Sequence, residues 1–266
     1  MAHDSIVFLM YHELEILGRR LCQSEPGYAR YVLPEPTFRA QMDYLKANGW
    51  QGLSVSQGLT FPEGRNVTIT FDDGCETDIL AAAPILRQAG FNATFFITCG
   101  RLGTPGYLTP ARLRELSALG FEIGSHSVNH PYLTELGGTE LRHEIFDSKS
   151  QLEQVIGQPV HHFSCPGGRY NRRVVAMART AGYRTLATST VKANSSNTDV
   201  FALGRVAMLR DLPLSKFAVI CEGTSLSRMR VQGVFRAAAK QILGNFLYDR
   251  LRAAYLHRQD PSNSIQ

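Results

Sequence analysis

The chain has no stretch approaching the roughly 20 consecutive apolar residues of a membrane-spanning helix, and none is expected. Its first residues, Met1 to Leu9, lack a basic region, a long apolar stretch and a small-residue cleavage site. No secretory leader is therefore read, and a cytoplasmic protein is expected. Cys-x-x-Cys is missing, and the five cysteines (Cys22, Cys75, Cys99, Cys165, Cys221) are odd in number and scattered. That usage argues for reduced thiols and against a thiolate zinc site. Internal repeats, low-complexity tracts and a clear linker are also lacking, so one domain is expected. Only 19% of residues are charged and 44% are hydrophobic, which excludes a disordered chain, and 266 residues suffice for a sizeable core.

Acidic residues are nearly absent from one segment. Between Arg228 and Arg258 seven Arg or Lys face one acid, Asp249, so that segment carries +6 against +5 for the whole chain. The rest of the protein is close to neutral. Apolar residues Phe235, Ala238, Ile242, Phe246, Leu247, Leu251 and Ala254 recur every three or four positions there, giving a basic amphipathic helical extension, 213–258, followed by a disordered tail, 259–266. Packing along the main domain is one reading of it; peripheral docking on the inner face of an anionic membrane is the other. No nucleic-acid motif accompanies the charge, so no nucleic-acid partner is expected. The oligomeric state is not legible.

Ahead of that extension, strands and helices alternate. Ser5–Met10 is an apolar run too short for a helix and ends in Tyr11-His12-Glu13. Leu14–Pro34 is a long irregular connection whose arginines and tyrosines, Tyr28 and Tyr31, suit a ligand groove. Helices are expected from Pro36, over 77–88, 109–119, 139–156 and 171–181, and strands over 53–55, 68–71, 93–98, 121–124, 161–164 and 184–187. Such alternation implies parallel strands joined by right-handed crossovers, with functional residues just after strands, as in a (β/α) barrel.

The central stretch is Thr68-Ile69-Thr70-Phe71-Asp72-Asp73-Gly74, a buried strand ending in two adjacent carboxylates. Neighbouring strand residues point to opposite faces, so one acid can hold a metal while the other reaches a water. Taken alone the pair could equally cap the following helix or form an ordinary turn. A second cluster, Gly124-Ser125-His126-Ser127-Val128-Asn129-His130-Pro131, sets two histidines four apart, which brings two imidazoles to one point. Asp73, His126 and His130 then make a set of two nitrogens and one carboxylate that leaves a position for water.

These two clusters resemble motifs of the polysaccharide deacetylases, the NodB-homology proteins of carbohydrate esterase family four. Thr70 to Gly74 matches the family's Thr-Phe-Asp-Asp-Gly, and His126 to His130 its His-Ser/Thr-x-x-His. Ser164-Cys165-Pro166-Gly167-Gly168 is a degenerate form of its Arg-x-Pro-x-Gly, and the resemblance spans about residues 5–212. It implies an irregular barrel of about seven strands and removal of an acetyl group from an amino sugar in a polysaccharide, oligosaccharide or lipid-linked glycan precursor. The rivals are a hydrolase of an O-acetyl ester or non-sugar amide and a non-catalytic carbohydrate-binding protein. A facial iron site uses similar ligands, but the resemblance favours hydrolysis.

Chemically, Asp73, His126 and His130 would hold one divalent ion, zinc first and cobalt, nickel or manganese as alternatives. Asp72 would act as general base, and the Pro166-Gly167-Gly168 turn would offer a backbone donor to the oxyanion. Three departures from the family matter. Ser164 stands where an arginine orients the base, and Arg169 is the expected substitute. The region Leu203-Gly204-Arg205-Val206 lacks the histidine that protonates the leaving amine; His12, His161 and His162 are candidates, with His12 preferred. The fourth motif's acid is missing unless Asp199 supplies it, and the only tryptophan, Trp50, lies far upstream.

Overall fold

The computed structural model describes residues 5–23, 27–224 and 226–227. In chain order come β1 (Ser5–Tyr11), β2 (Leu14–Glu15), β3 (Leu33–Pro34), α1 (Glu35–Ala47), β4 (Trp50–Leu53), α2 (Val55–Gly58) and β5 (Arg65–Phe71). A wide turn, Asp78–Ala82, leads into α3 (Ala83–Ala89), followed by β6 (Thr94–Ile97), α4 (Pro110–Ala118) and β7 (Glu122–Ser125). Then α5 (Gly138–Arg142) continues through a wide turn into α6 (Ser148–Ile156). The last elements are β8 (His162–Ser164), α7 (Arg172–Thr180), β9 (Thr185–Ala187), β10 (Asn194–Ser195), β11 (Val206–Ala207) and α8 (Leu214–Cys221).

The sheet runs β1-β5-β6-β7-β8-β9 with parallel neighbours. Leu203 bridges Ala187 of β9, and the chain then enters β11, which pairs in parallel with Leu9 and Met10 of β1. Seven parallel strands thus curl into the expected irregular barrel. Short β4 adds an eighth parallel strand beside the first half of β5, and among the described strands β10 alone runs antiparallel, against the start of β1.

Side-chain alternation splits the packing in two. Val7, Leu9, Tyr11, Val67, Ile69 and Phe71 face the helices, where Tyr11, Phe71 and Phe95 stack in a row with centroids 5.2 and 4.9 Å apart. Ile6, Phe8, Phe96, Ala187 and Leu203 form a separate interior cluster. Each buried large side chain contributes roughly 1.5–3 kcal/mol, so the outer layer carries most of the core. By the same alternation Thr68, Thr70 and Asp72 turn inward, while Asp73, past the end of β5 with φ 81°, is brought to the same cleft as Asp72.

Three local readings change. The strand expected over 53–55 is β4, which ends earlier because Ser54 opens α2: its Oγ accepts from Gln57 N–H (3.4 Å) and Gln57 Oε1 accepts from Ser54 N–H (3.0 Å). The irregular 14–34 connection holds a parallel pair, β2 with β3. Two-residue β10 and β11 carry too little pattern to be read from sequence. Within the segment read as a C-terminal extension, α8 packs on α1, with Phe217 edge-on to Tyr44 at 6.2 Å. The basic stretch 228–258 and the tail 259–266 lie outside the described residues. Among the described residues no helix is long and apolar enough to cross a membrane.

Candidate metal and active site

A cleft of about 450 Å³ opens at the C-terminal ends of the strands, and Asp72, Asp73, His126, His130, His12, Gly167 and Gly168 all line it. Tyr28, Tyr31, Gln23 and Gly27 of the 14–34 connection form one wall, as the groove reading expected. Tyr132, Ser189 and Val191 form others.

Asp73 Oδ1 lies 3.7 Å from His126 Nε2 and 3.5 Å from His130 Nε2. The three ligand atoms fall within 4.8 Å of one another. The fit to a divalent cation rests on two observations. Asp73 Oδ1 is buried with no hydrogen-bond donor, and such an atom needs a cation or proton opposite it. His126 donates from Nδ1 to the Ser164 carbonyl at 2.8 Å, which leaves its Nε2 lone pair directed at Asp73 and His130. Burial lowers the His126 pKa to about 3 and moves that of His130 downward, so both rings stay neutral, as ligands must be. Burial, against the pull of His12, raises Asp73, and the neighbouring Asp72 charge adds to the rise.

Backbone strain accompanies the geometry. Asp73, Ser127 and His130 have φ of 81°, 68° and 64°, in the left-handed region where a side chain costs roughly 1–3 kcal/mol. Glu144 of the wide turn after α5 holds the histidine loop in place. Its Oε2 accepts from Val128 N–H and Asn129 N–H, both at 2.8 Å, and its Oε1 accepts from the Asn129 amide, also at 2.8 Å. Sequence reasoning passed over Glu144, whose signal was an acid beside the apolar positions Leu141 and Ile145.

Asp72 is bound not by Arg169, the expected substitute, but by Arg205, to which the sequence reading gave no role. Arg205 Nη1 donates to Asp72 Oδ1 at 2.7 Å and Nη2 to Oδ2 at 2.8 Å. The guanidinium also donates to Ser164 Oγ (2.7 Å), Thr70 Oγ1 (3.2 Å) and the Thr188 carbonyl (3.0 Å), so its side chain is fully enclosed and satisfied. Burial alone would raise the Asp72 pKa; the Arg205 charge overrides it and holds the carboxyl well below the usual range. Ser164, in the third-motif arginine position, donates to Asp72 Oδ2 at 3.2 Å. Arg169 is not the substitute: it pairs with exposed Glu135 at 3.1 Å and lies 4.0 Å over the Tyr132 ring.

The remaining candidates separate cleanly. His12 lines the cleft, its ring 5.0 Å from Tyr31 and its buried Nδ1 without a partner. His162 sits at the opposite end of the barrel, bonded to Ser56 Oγ and Thr185 Oγ1 at 2.8 Å each and 3.2 Å from Glu122, and His161 lies beside it. Asp199 caps the turn at Val200–Ala202 and faces Arg179, while Trp50 is buried in β4 beneath Arg65; neither reaches the cleft. In the glycine turn, Pro166 has no N–H and Gly168 N–H is engaged by the Cys165 carbonyl at 2.8 Å, which leaves Gly167 to offer a donor. Both glycines have positive φ, and a Cβ on Gly168 would sit 2.3 Å from Ser189 Oγ, so only glycine fits.

Comparison with known proteins agrees with this geometry. A family model for polysaccharide deacetylases matches residues 61–186. YxkH of Bacillus subtilis, whose name assigns it to the polysaccharide deacetylases, is 30% identical over 196 residues, covering 71% of this chain and 70% of its own. A peptidoglycan-N-acetylglucosamine deacetylase of Bacillus cereus is 36% identical over 121 residues, covering 45% of this chain and 54% of its own. The solved structure of the Streptococcus pyogenes deacetylase PplD in complex with acetate shares the fold, with TM-score 0.72, 24% identity, and coverage of 81% of this chain and 97% of that one. The chain belongs to the polysaccharide deacetylase family, hydrolases of the amide bonds of N-acetylated sugars.

Proposed function

We propose that this protein removes the N-acetyl group of an amino sugar in a polysaccharide, an oligosaccharide or a lipid-linked glycan precursor, releasing acetate. The observation that carries the reading is the convergence of Asp73, His126 and His130 beside an Asp72 locked by Arg205. The named activities of the relatives support the substrate class.

Asp73, His126 and His130 would hold a divalent ion, which would supply Lewis-acid polarisation of the acetyl carbonyl and lower the pKa of a water there. Zinc suits this nitrogen-rich donor set best, with cobalt, nickel and manganese also accepted. Asp72 takes the proton of the attacking water. Arg205 keeps it ionised and aims its carboxylate, so no side-chain rearrangement is required. The Gly167 N–H faces the developing oxyanion, and His12 delivers a proton to the departing amine. Tyr31 and Tyr132 line the cleft and offer aromatic faces to a sugar ring.

The basic 228–258 segment supports a site of action at the inner face of a membrane, where a lipid-linked precursor resides. Failure of the purified protein to bind anionic liposomes would remove that support. The chemistry itself is tested by acetate release from N-acetylglucosamine oligomers, run beside O-acetylated sugars and small non-sugar amides. Release from the first group alone establishes the proposal; release only from the others replaces it with the esterase or amidase reading. Binding without any release points to a carbohydrate-binding protein.

A further inference from the structure

A second group of potential ligands lies behind the cleft wall. Glu13 follows β1, Cys22 sits in the 14–34 connection, and Cys75 comes directly after Gly74. One carboxylate oxygen and the two sulfurs lie within 4.8 Å of one another. The sulfurs are 2.9 Å apart, and Glu13 Oε2 is 3.3 Å from the Cys22 sulfur. Glu13 also accepts from Cys22 N–H at 3.0 and 3.1 Å, which fixes the connection against the end of β1. The Tyr28 hydroxyl touches both sulfurs, at 3.0 and 3.5 Å. The close approach is built in: a Cβ on Gly106 would meet Cys22 Cβ at 2.8 Å.

A nearby buried carboxylate supplies an independent sign of a ligand. Asp78, at the start of the turn after Cys75, is 1% exposed, and neither of its carboxylate oxygens has a hydrogen-bond partner. Burial pushes the Asp78 carboxyl well above the usual carboxylate range, and neighbouring Cys22 adds to the rise. Among the described residues, no Lys or Arg pairs with Glu13, Cys22, Cys75 or Asp78. Glu13, Cys75 and Asp78 are thus buried and Cys22 half-buried, and among the described residues none of them has a Lys or Arg partner; buried charges are otherwise paired or bound to metal.

We propose that Glu13, Cys22 and Cys75 form a second divalent-cation site, of the mixed thiolate and carboxylate type that zinc occupies, distinct from the Asp73–His126–His130 centre, with the buried, unpartnered carboxylate of Asp78 adding negative charge to its surroundings. Its ion binds two thiolates formed by loss of one proton each, and no oxidant takes part. The site joins the 14–34 connection to the loop bearing Asp72 and Asp73. Through it the cleft wall is held, since Gln23, next to Cys22, reaches Asp73 Oδ2 at 3.5 Å. Cys22 and Cys75 are 53 positions apart, which is why their spacing argued against such a site.

The test uses the full chain, stripped of metal and reloaded with cobalt(II) alone, beside elemental analysis of the protein as purified. The wild type is expected to hold two ions per chain and, with cobalt, to show thiolate-to-metal charge-transfer absorption in the near ultraviolet. The double variant Cys22→Ser, Cys75→Ser is expected to lose one ion and the band. His126→Ala loses the other ion and keeps the band, which separates the two sites. Asp78→Asn, with both sulfurs present, is expected to weaken cobalt binding at the thiolates at least tenfold and guards against misfolding of the double variant. A wild type holding one ion without a thiolate band overturns the proposal. An intact mass short of two hydrogens, showing a Cys22–Cys75 disulfide in the purified protein, overturns it as well.

Discussion

Arg205 and Asp72 meet as a fully buried, bidentate ion pair, Nη1 to Oδ1 at 2.7 Å and Nη2 to Oδ2 at 2.8 Å, although 133 positions separate them in the chain. The guanidinium both neutralises the buried carboxylate and orients it. Arg205→Ala is therefore expected to strand a buried charge and destabilise the protein by about 3–5 kcal/mol. Arg205→Lys keeps the charge and loses the fork. It is expected to lower kcat roughly tenfold to a hundredfold, about 1.4–2.7 kcal/mol in barrier, with KM little changed. Arg205 depresses the Asp72 pKa, so weakening the pair moves the acidic limb of the pH–rate profile to higher pH. A profile unmoved in Arg205→Lys would show that Arg205 does not tune the base.

His12 is the one candidate proton donor that reaches the cleft. His12→Gln is expected to retain full metal content and to lose about 10²- to 10⁴-fold in kcat. Restoration of much of that rate with a substrate whose leaving amine needs no protonation would mark the histidine as the acid. Equal losses on both substrates would assign it a merely structural place.

His162, by contrast, is tied into Ser56, Thr185 and Glu122 at the far end of the barrel. Replacing it with alanine leaves those groups unsatisfied, at about 1–3 kcal/mol. Denaturant unfolding should show that loss while kcat per folded molecule stays at the wild-type value.

The metal-free protein should be acid-sensitive. Burial lowers the His126 pKa from its ordinary 6.5 to about 3. The unfolded chain therefore binds the extra proton first, and stability is full above about pH 6.5 and falls as the pH drops towards about 3. The expected slope is about 1.4 kcal/mol per pH unit in that window. His126→Asn should flatten it in Tm measurements between pH 7 and pH 5; an unchanged slope would assign the sensitivity to another group.

The extent to which the site was legible follows chain locality. Asp72, Asp73, His126 and His130 stand in short segments at strand ends, and the parallel alternation of elements places strand ends together, so four residues and the barrel could be read at once. Arg205 lay in the very stretch searched for a histidine. Its role depends on the Leu203–Ala207 segment closing the barrel between β9 and β1, and no local pattern marks a two-residue strand. Arg169 was closer to the motif in sequence yet faces outward to Glu135. Cys22 and Cys75 were discounted for want of a spacing motif, because sequence separation says nothing about two loops packed on one strand end.

The most direct test of the central claim compares wild type, Asp72→Asn and His126→Ala for bound transition metal and for acetate release from N-acetylglucosamine oligomers. The expected result is an active wild type, an Asp72→Asn protein with wild-type metal content and activity reduced at least a hundredfold, and a His126→Ala protein holding one ion fewer and inactive. Wild-type metal content in His126→Ala, or undiminished acetate release from Asp72→Asn, would contradict the assignment of ligand and base.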